Sequence, residues 1–186
     1  MTPKEATEKL LEKVVSASPE EVQTLLDFGA DPNATNRYGL TALILAAKYH
    51  DAPDAPGVVK ALLDAGAGPN AENKYGWTPL MAAARDNKNP EVVQALLDAG
   101  ANPNTAGDDG LTVLMLAARW NENPEVIKAL LAAGANLEAK DKQGWTALME
   151  AVWMNSKQPR PEGRSFMVKS QRLSPHWSGL QRPLIA

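Results

Sequence analysis

Few side chains in this sequence could do chemistry near neutral pH. His50 and His176 could act as proton shuttles or metal ligands, but they stand far apart and neither has a partner at ligand spacing. His50 reads as a surface loop residue. The acidic pairs Asp51/Asp54 and Asp108/Asp109 could hold a cation or work as acid and base, yet their Gly- and Pro-rich surroundings mark them as solvated turn residues. There is no cysteine, so neither a thiolate nucleophile nor a disulfide framework exists. The glycines are spent singly on turns and helix ends, without a phosphate-cradling cluster. Serine is too rare before residue 156 to build a nucleophile elbow. No catalytic, cofactor-binding or metal-binding residue is assigned, and no enzyme is expected.

The elements that carry these residues are repeated. Gly39-Leu40-Thr41-Ala42-Leu43 returns as Gly76-Trp77-Thr78-Pro79-Leu80, Gly110-Leu111-Thr112-Val113-Leu114 and Gly144-Trp145-Thr146-Ala147-Leu148, at spacings of 37, 34 and 34. A second marker, Leu25-Leu26-Asp27-Phe28-Gly29-Ala30, recurs in the same steps at 62–67, 96–101 and 130–135. Two independent markers in lockstep define a repeat array. Each unit reads as two short helices and a turn. Thr-x-Leu-x-x-Ala-Ala opens the first helix, with small residues where neighbours must approach closely. Asn89-Pro90-Glu91 and Asn123-Pro124-Glu125 open the second: an N-cap, a residue preset for the first helical position, and a charge that suits the helix dipole. Val92, Val93, Leu96 and Leu97 supply an apolar stripe at helical spacing, and Gly100 is the expected left-handed cap.

A Gly-x-Thr-Pro-Leu turn, an Ala-Ala pair, a Val-Val-x-x-Leu-Leu helix and a closing Gly-Ala resemble the ankyrin-repeat family over roughly residues 20–155. The resemblance implies an all-α ankyrin-repeat solenoid of about four repeats plus an N-terminal capping unit. The expected units are 1–35, with helices near 3–16 and 19–28, then 36–72, 73–106, 107–140 and a partial 141–155. Three departures stand out. Ile44, Met81, Met115 and Met149 replace the family's histidine after Thr-x-Leu. The regular unit has 34 residues where 33 is usual, and the first full unit has three more near Asp51–Pro56.

The formal net charge of −3 is uneven: residues 156–186 carry a net +5 and residues 1–155 a net −8. An acidic body argues against nucleic acid on the main surface. The basic 156–186 tail, rich in Pro, Ser and Arg, leaves three readings open: a degenerate cap through Phe166, Met167 and Val168, a disordered tail, or sequence foreign to the array. Met1–Glu5 leads into a charged stretch instead of an apolar signal region, and no apolar run approaches the roughly 20 residues of a membrane helix. A cytoplasmic protein with no membrane contact is the expectation.

The family resemblance implies that partners bind a concave face made of turn tips and first helices. The tip positions are Arg37, Tyr38 and Leu40; Lys74, Tyr75 and Trp77; Asp108, Asp109 and Leu111; and Lys142, Gln143 and Trp145. The positions after Ala-Ala are Lys48, Tyr49, Arg85, Asp86, Arg119 and Trp120, with Trp153 and Met154 in the last unit. Seven of the eight Tyr and Trp residues fall at these places, and Tyr, Trp and Arg dominate interface hot spots. Arg37, Tyr38, Tyr49, Lys74, Tyr75, Trp77, Arg85, Arg119, Trp120, Trp145 and Trp153 are therefore the candidate partner-binding residues, with Tyr49, Arg119 and Trp120 expected to lie exposed on one face. Trp77 and Trp145 also admit a purely structural reading, packed between neighbouring turns. The function expected is protein–protein interaction without a small-molecule substrate. A targeting or regulatory fragment of a larger protein, such as a secreted effector, is the alternative. The missing second helix of the last unit suggests either a monomer or weak self-association through the C-terminal end.

Overall fold

The computed structural model describes residues 1–49 and 53–156; His50, Asp51, His176 and the basic tail lie outside the described residues. Those residues form α1 (Pro3–Lys13), α2 (Pro19–Asp27), α3 (Ala42–Tyr49), α4 (Ala55–Asp64), α5 (Pro79–Asp86), α6 (Pro90–Asp98), α7 (Val113–Trp120), α8 (Pro124–Ala132) and α9 (Ala147–Ser156). Odd-numbered helices stack on one another as an inner row, and α2, α4, α6 and α8 stack as an outer row. The only β pairing among the described residues is the pair of isolated bridges Thr35–Thr41 and Ala106–Thr112. This is an all-α ankyrin-type solenoid.

Local chemistry starts each helix. The hydroxyls of Thr78 and Thr112 accept from the N–H groups of Met81 and Met115, and the carboxamides of Asn89 and Asn123 accept from Glu91 and Glu125. Thr2 with Glu5 and Ser18 with Glu21 form reciprocal capping boxes. In α7 the Met115 thioether takes the glutamate's part, its sulfur 3.5 Å from the Thr112 nitrogen that donates to it. Helix α6 ends at Asp98 and is closed by Gly100, whose φ of 85° accompanies the bonds of its own N–H to the Leu97 carbonyl and of Ala101 N–H to Leu96. Helix α1 stops at Lys13, three residues before the sequence expectation. The N–H groups of Ser16 and Ala17 both turn back to the Lys13 carbonyl there, and the buried Val14 caps the helix, its N–H still donating to the Leu10 carbonyl.

Side-chain size sets the spacing of the inner row. Ala46, Ala47, Ala83, Ala84 and Ala117 are fully buried, with Leu43, Leu80, Leu114, Ile44, Met81 and Met115 packed around them. In the three full units the apolar residue at the family's histidine position has thus become core, whereas Met149 of the last unit is exposed. Ala118, the second alanine of the third Ala-Ala pair, is half-buried. The outer row contributes Val58, Val59, Leu62, Val92, Val93, Leu96, Val126 and Leu130.

Two asparagine ladders tie unit to unit. Asn33 donates to the Gly66 carbonyl and accepts from Gly68 N–H; Asn70 does the same with Gly100 and Asn102, and Asn104 with Gly134 and Asn136. On the other side, the buried Asn87 amide donates to the Ala47 carbonyl, and Asn121 donates to those of Ala84 and Asn87. Since neighbouring inner helices meet at alanine, enlarging one is expected to overpack the stack. Ala117→Leu should cost about 1–3 kcal/mol, seen as a lower denaturant midpoint; an unchanged midpoint would contradict the packing described.

Candidate functional site

Each turn tip is shaped from below by one polar side chain. Asn36 Oδ1 accepts the N–H groups of Tyr38 and Leu40, and Asn73 Oδ1 accepts those of Tyr75 and Trp77. Asp141 accepts those of Gln143 and Trp145, both at 2.8 Å. In the third unit the equivalent place is Gly107, and the Asp109 carboxylate accepts from Leu111 N–H instead. Asp109 is thus a turn-forming acid, while Asp54 and Asp108 are exposed. Successive tips pack closely: at Gly110, with φ of 80°, an added Cβ would lie 2.9 Å from the Lys142 nitrogen.

Arg37 lies over the Tyr38 ring at 4.7 Å and Lys74 over the Tyr75 ring at 5.2 Å. Leu40 and Leu111, mapped from the sequence to the tips, are buried in the core. The tryptophans at the same position, Trp77 and Trp145, are half-buried.

From Trp77 a continuous strip of alternating cations and rings crosses the inner row. The Arg85 guanidinium sits 5.5 Å from Trp77 and 5.0 Å from Trp120. Arg119 sits 4.3 Å from Trp120 and 5.4 Å from Trp153, and Trp153 meets Trp145 edge-on at 6.4 Å. Each arginine touches rings from two different units, a favourable arrangement of a weakly hydrated planar cation on π-faces. Acids hold the cations in place. Asp86 lies 3.5 Å from Lys48 and 3.6 Å from Arg85, and Glu150 lies 3.7 Å from Arg119. Lys48 also covers the Tyr49 ring at 4.5 Å.

The expectation that Tyr49, Arg119 and Trp120 lie exposed needs correction. Tyr49 and Trp120 are half-buried, and the Arg119 side chain is only 8% exposed. Its guanidinium lies over the Trp120 ring and its Nε faces the fully buried Glu150. Nothing in the sequence reading singled out Glu150. Its signal was positional: it stands where Leu45, Ala82 and Leu116 stand in the earlier units, a core place for a carboxylate.

Burial dominates the titration of the first pair. It pushes Lys48 well below the ordinary lysine value, to about 8, against the opposing pull of Asp86. It pushes the Tyr49 phenol up to about 12. Among the described residues no group of His, Asp and Glu is arranged to hold a metal ion, and no helix is long and apolar enough to cross a membrane.

A family model described as Ankyrin repeats (3 copies) matches residues 11–107 and 86–158. The chain belongs to the ankyrin-repeat family. Ankyrin repeats are generally protein–protein interaction modules, and the family is typically non-enzymatic. No curated protein matches the chain significantly.

Two predictions come from the buried charges. Removing one member of a buried pair leaves the other uncompensated, so Glu150→Leu should destabilise by about 3 kcal/mol, while Arg119→Met with Glu150→Leu should recover most of the loss. Denaturation of the single and double variants checks this. For Lys48, the folded chain releases the proton near pH 8 and the unfolded chain near 10.4. Unfolding therefore takes up a proton between these values, and stability should rise from pH 8 to 10. Tyr49 acts in the opposite sense above pH 10, where the unfolded phenol ionises first. Lys48→Met should flatten the rise below pH 10, as measured by urea midpoints across that range.

Proposed function

We propose that the strip running from Tyr38 and Tyr75 through Trp77, Arg85, Trp120 and Arg119 to Trp153 and Trp145 is the face on which this protein holds a protein partner. The observation that carries the reading is the preset state of these side chains. Arg85 and Arg119 are already fixed between rings, and their charge is already balanced by Asp86 and Glu150. A partner docking here would meet aromatic surface that loses little rotamer entropy and cations whose desolvation is largely complete, which favours binding. Arg37 and Lys74 remain exposed at the tips, where they can steer and register an approaching chain. Trp120 within the strip and Tyr49, at the equivalent helix end one unit before Trp77's, are the anchors we assign, both being half-buried.

The test is affinity purification with the intact array, followed by titration of the captured protein. Trp120→Ala and Tyr49→Ala are each expected to weaken binding by about 2 kcal/mol or more. Gln94→Ala, on the exposed side of α6, should leave it unchanged. Folded variants that bind the partner as the parent does would overturn the assignment, as would loss of binding in the Gln94 variant alone.

A further inference from the structure

The C-terminal end of the solenoid differs from its middle in apolar surface; at the N-terminal end Met1, Val15 and Phe28 are exposed, none of them at a core position of the repeat's first helix. From Gly29 to Leu130 no large apolar side chain among the described residues is exposed, whereas Leu131, Leu137, Leu148, Met149, Val152 and Met154 all are. Three of these sit at core positions of the repeat. Leu148 corresponds to Leu43, Leu80 and Leu114, none more than 2% exposed, yet it is 64% exposed. Met149 is 50% exposed where Ile44, Met81 and Met115 are fully buried, and Val152 is 59% exposed. In the earlier units the missing cover comes from the unit's own outer helix and from the next inner helix. Helix α9 packs against α7 on one side only. A contiguous apolar face of this kind in water is a binding surface or a liability.

The register of the sequence points to its occupant. The helix-opening proline follows the helix-opening threonine by 12 residues in two units, Thr78 to Pro90 and Thr112 to Pro124. In the first full unit the interval is 15, from Thr41 to Pro56, and α4 follows with Leu62 fully buried. After Thr146 the same interval of 15 reaches Pro161. Counted onward, Phe166, Met167 and Val168 fall at the places of Ala61, Leu62 and Leu63, so Met167 stands at the core position held by Leu62, Leu96 and Leu130. We propose that residues 161–168 of this same chain cover the exposed face of α9, with Met167 and its neighbours seated on Leu148, Met149 and Val152. Gly163 and Arg164 stand where Val58 and Val59 do, so this segment brings less apolar surface than the other outer helices.

The absence of native cysteine allows a clean test in the full chain. One variant carries Leu148→Cys with Met167→Cys; its control carries Leu148→Cys with Ser174→Cys, whose tether is of similar length. Under mild oxidation the Met167 pair is expected to form an intrachain disulfide at least about tenfold faster than the control, because tethering alone gives both pairs similar effective concentrations. Equal rates would overturn the proposal. Disulfide-linked dimers outpacing the intrachain product would also overturn it, and would show a second copy on this face. Thermal unfolding of the reduced variants confirms that each is folded before oxidation.

Discussion

Close approach between neighbouring inner helices governs this molecule. Alanine at 46, 47, 83, 84 and 117 lets one helix stand against the next with little side chain between them. Dispersion at that distance is strong, and anything larger forces the stack apart. The constraint also decides what happens just past the alanines. Long side chains at 48, 49, 85, 86, 119 and 120 project from helices too close for each to have its own space, so they interleave. Arg85 lies between rings from its own unit and the next, and Arg119 does the same one unit on.

Interleaving changes the meaning of the surface. Isolated surface arginines and tryptophans are mobile and well hydrated, and each must be ordered and partly dried before it can contribute to a contact. Here the fold has done that ordering. Burial has an energetic counterpart in the displaced titration of Lys48 and Tyr49 and in the Glu150 carboxylate held away from water. Such buried ionic groups add little to stability against an apolar substitute, while they fix geometry.

The repeat was legible because it is local. Threonine signals start α3, α5, α7 and α9, asparagine-proline signals start α6 and α8, and glycines close the outer helices, each within four residues of where it stands, and the capping bonds follow them. What escaped the sequence depends on contacts 30 or more residues apart. Asn33, Asn70 and Asn104 look like turn composition, yet they bridge to the following unit. Arg119 looks like a solvated charge at a helix end, and only the distance between α7 and α9 brings Glu150 beneath it. Leu40 and Leu111 were misplaced because the tips share one alignment column between buried leucine and half-buried tryptophan.

The asparagine bridges carry a further consequence for how such a protein changes over time. Asn70 and Asn104 make the same paired bonds to the unit ahead, and Asn87 and Asn121 reach back to equivalent carbonyls in the unit behind. An interior 34-residue unit therefore presents matching connectors at its two faces. Duplicating or deleting one whole unit by recombination would leave these asparagine junctions intact while altering the reach of the inner face. Inheritance can thus adjust the span of this molecule in discrete steps without reinventing any of its parts.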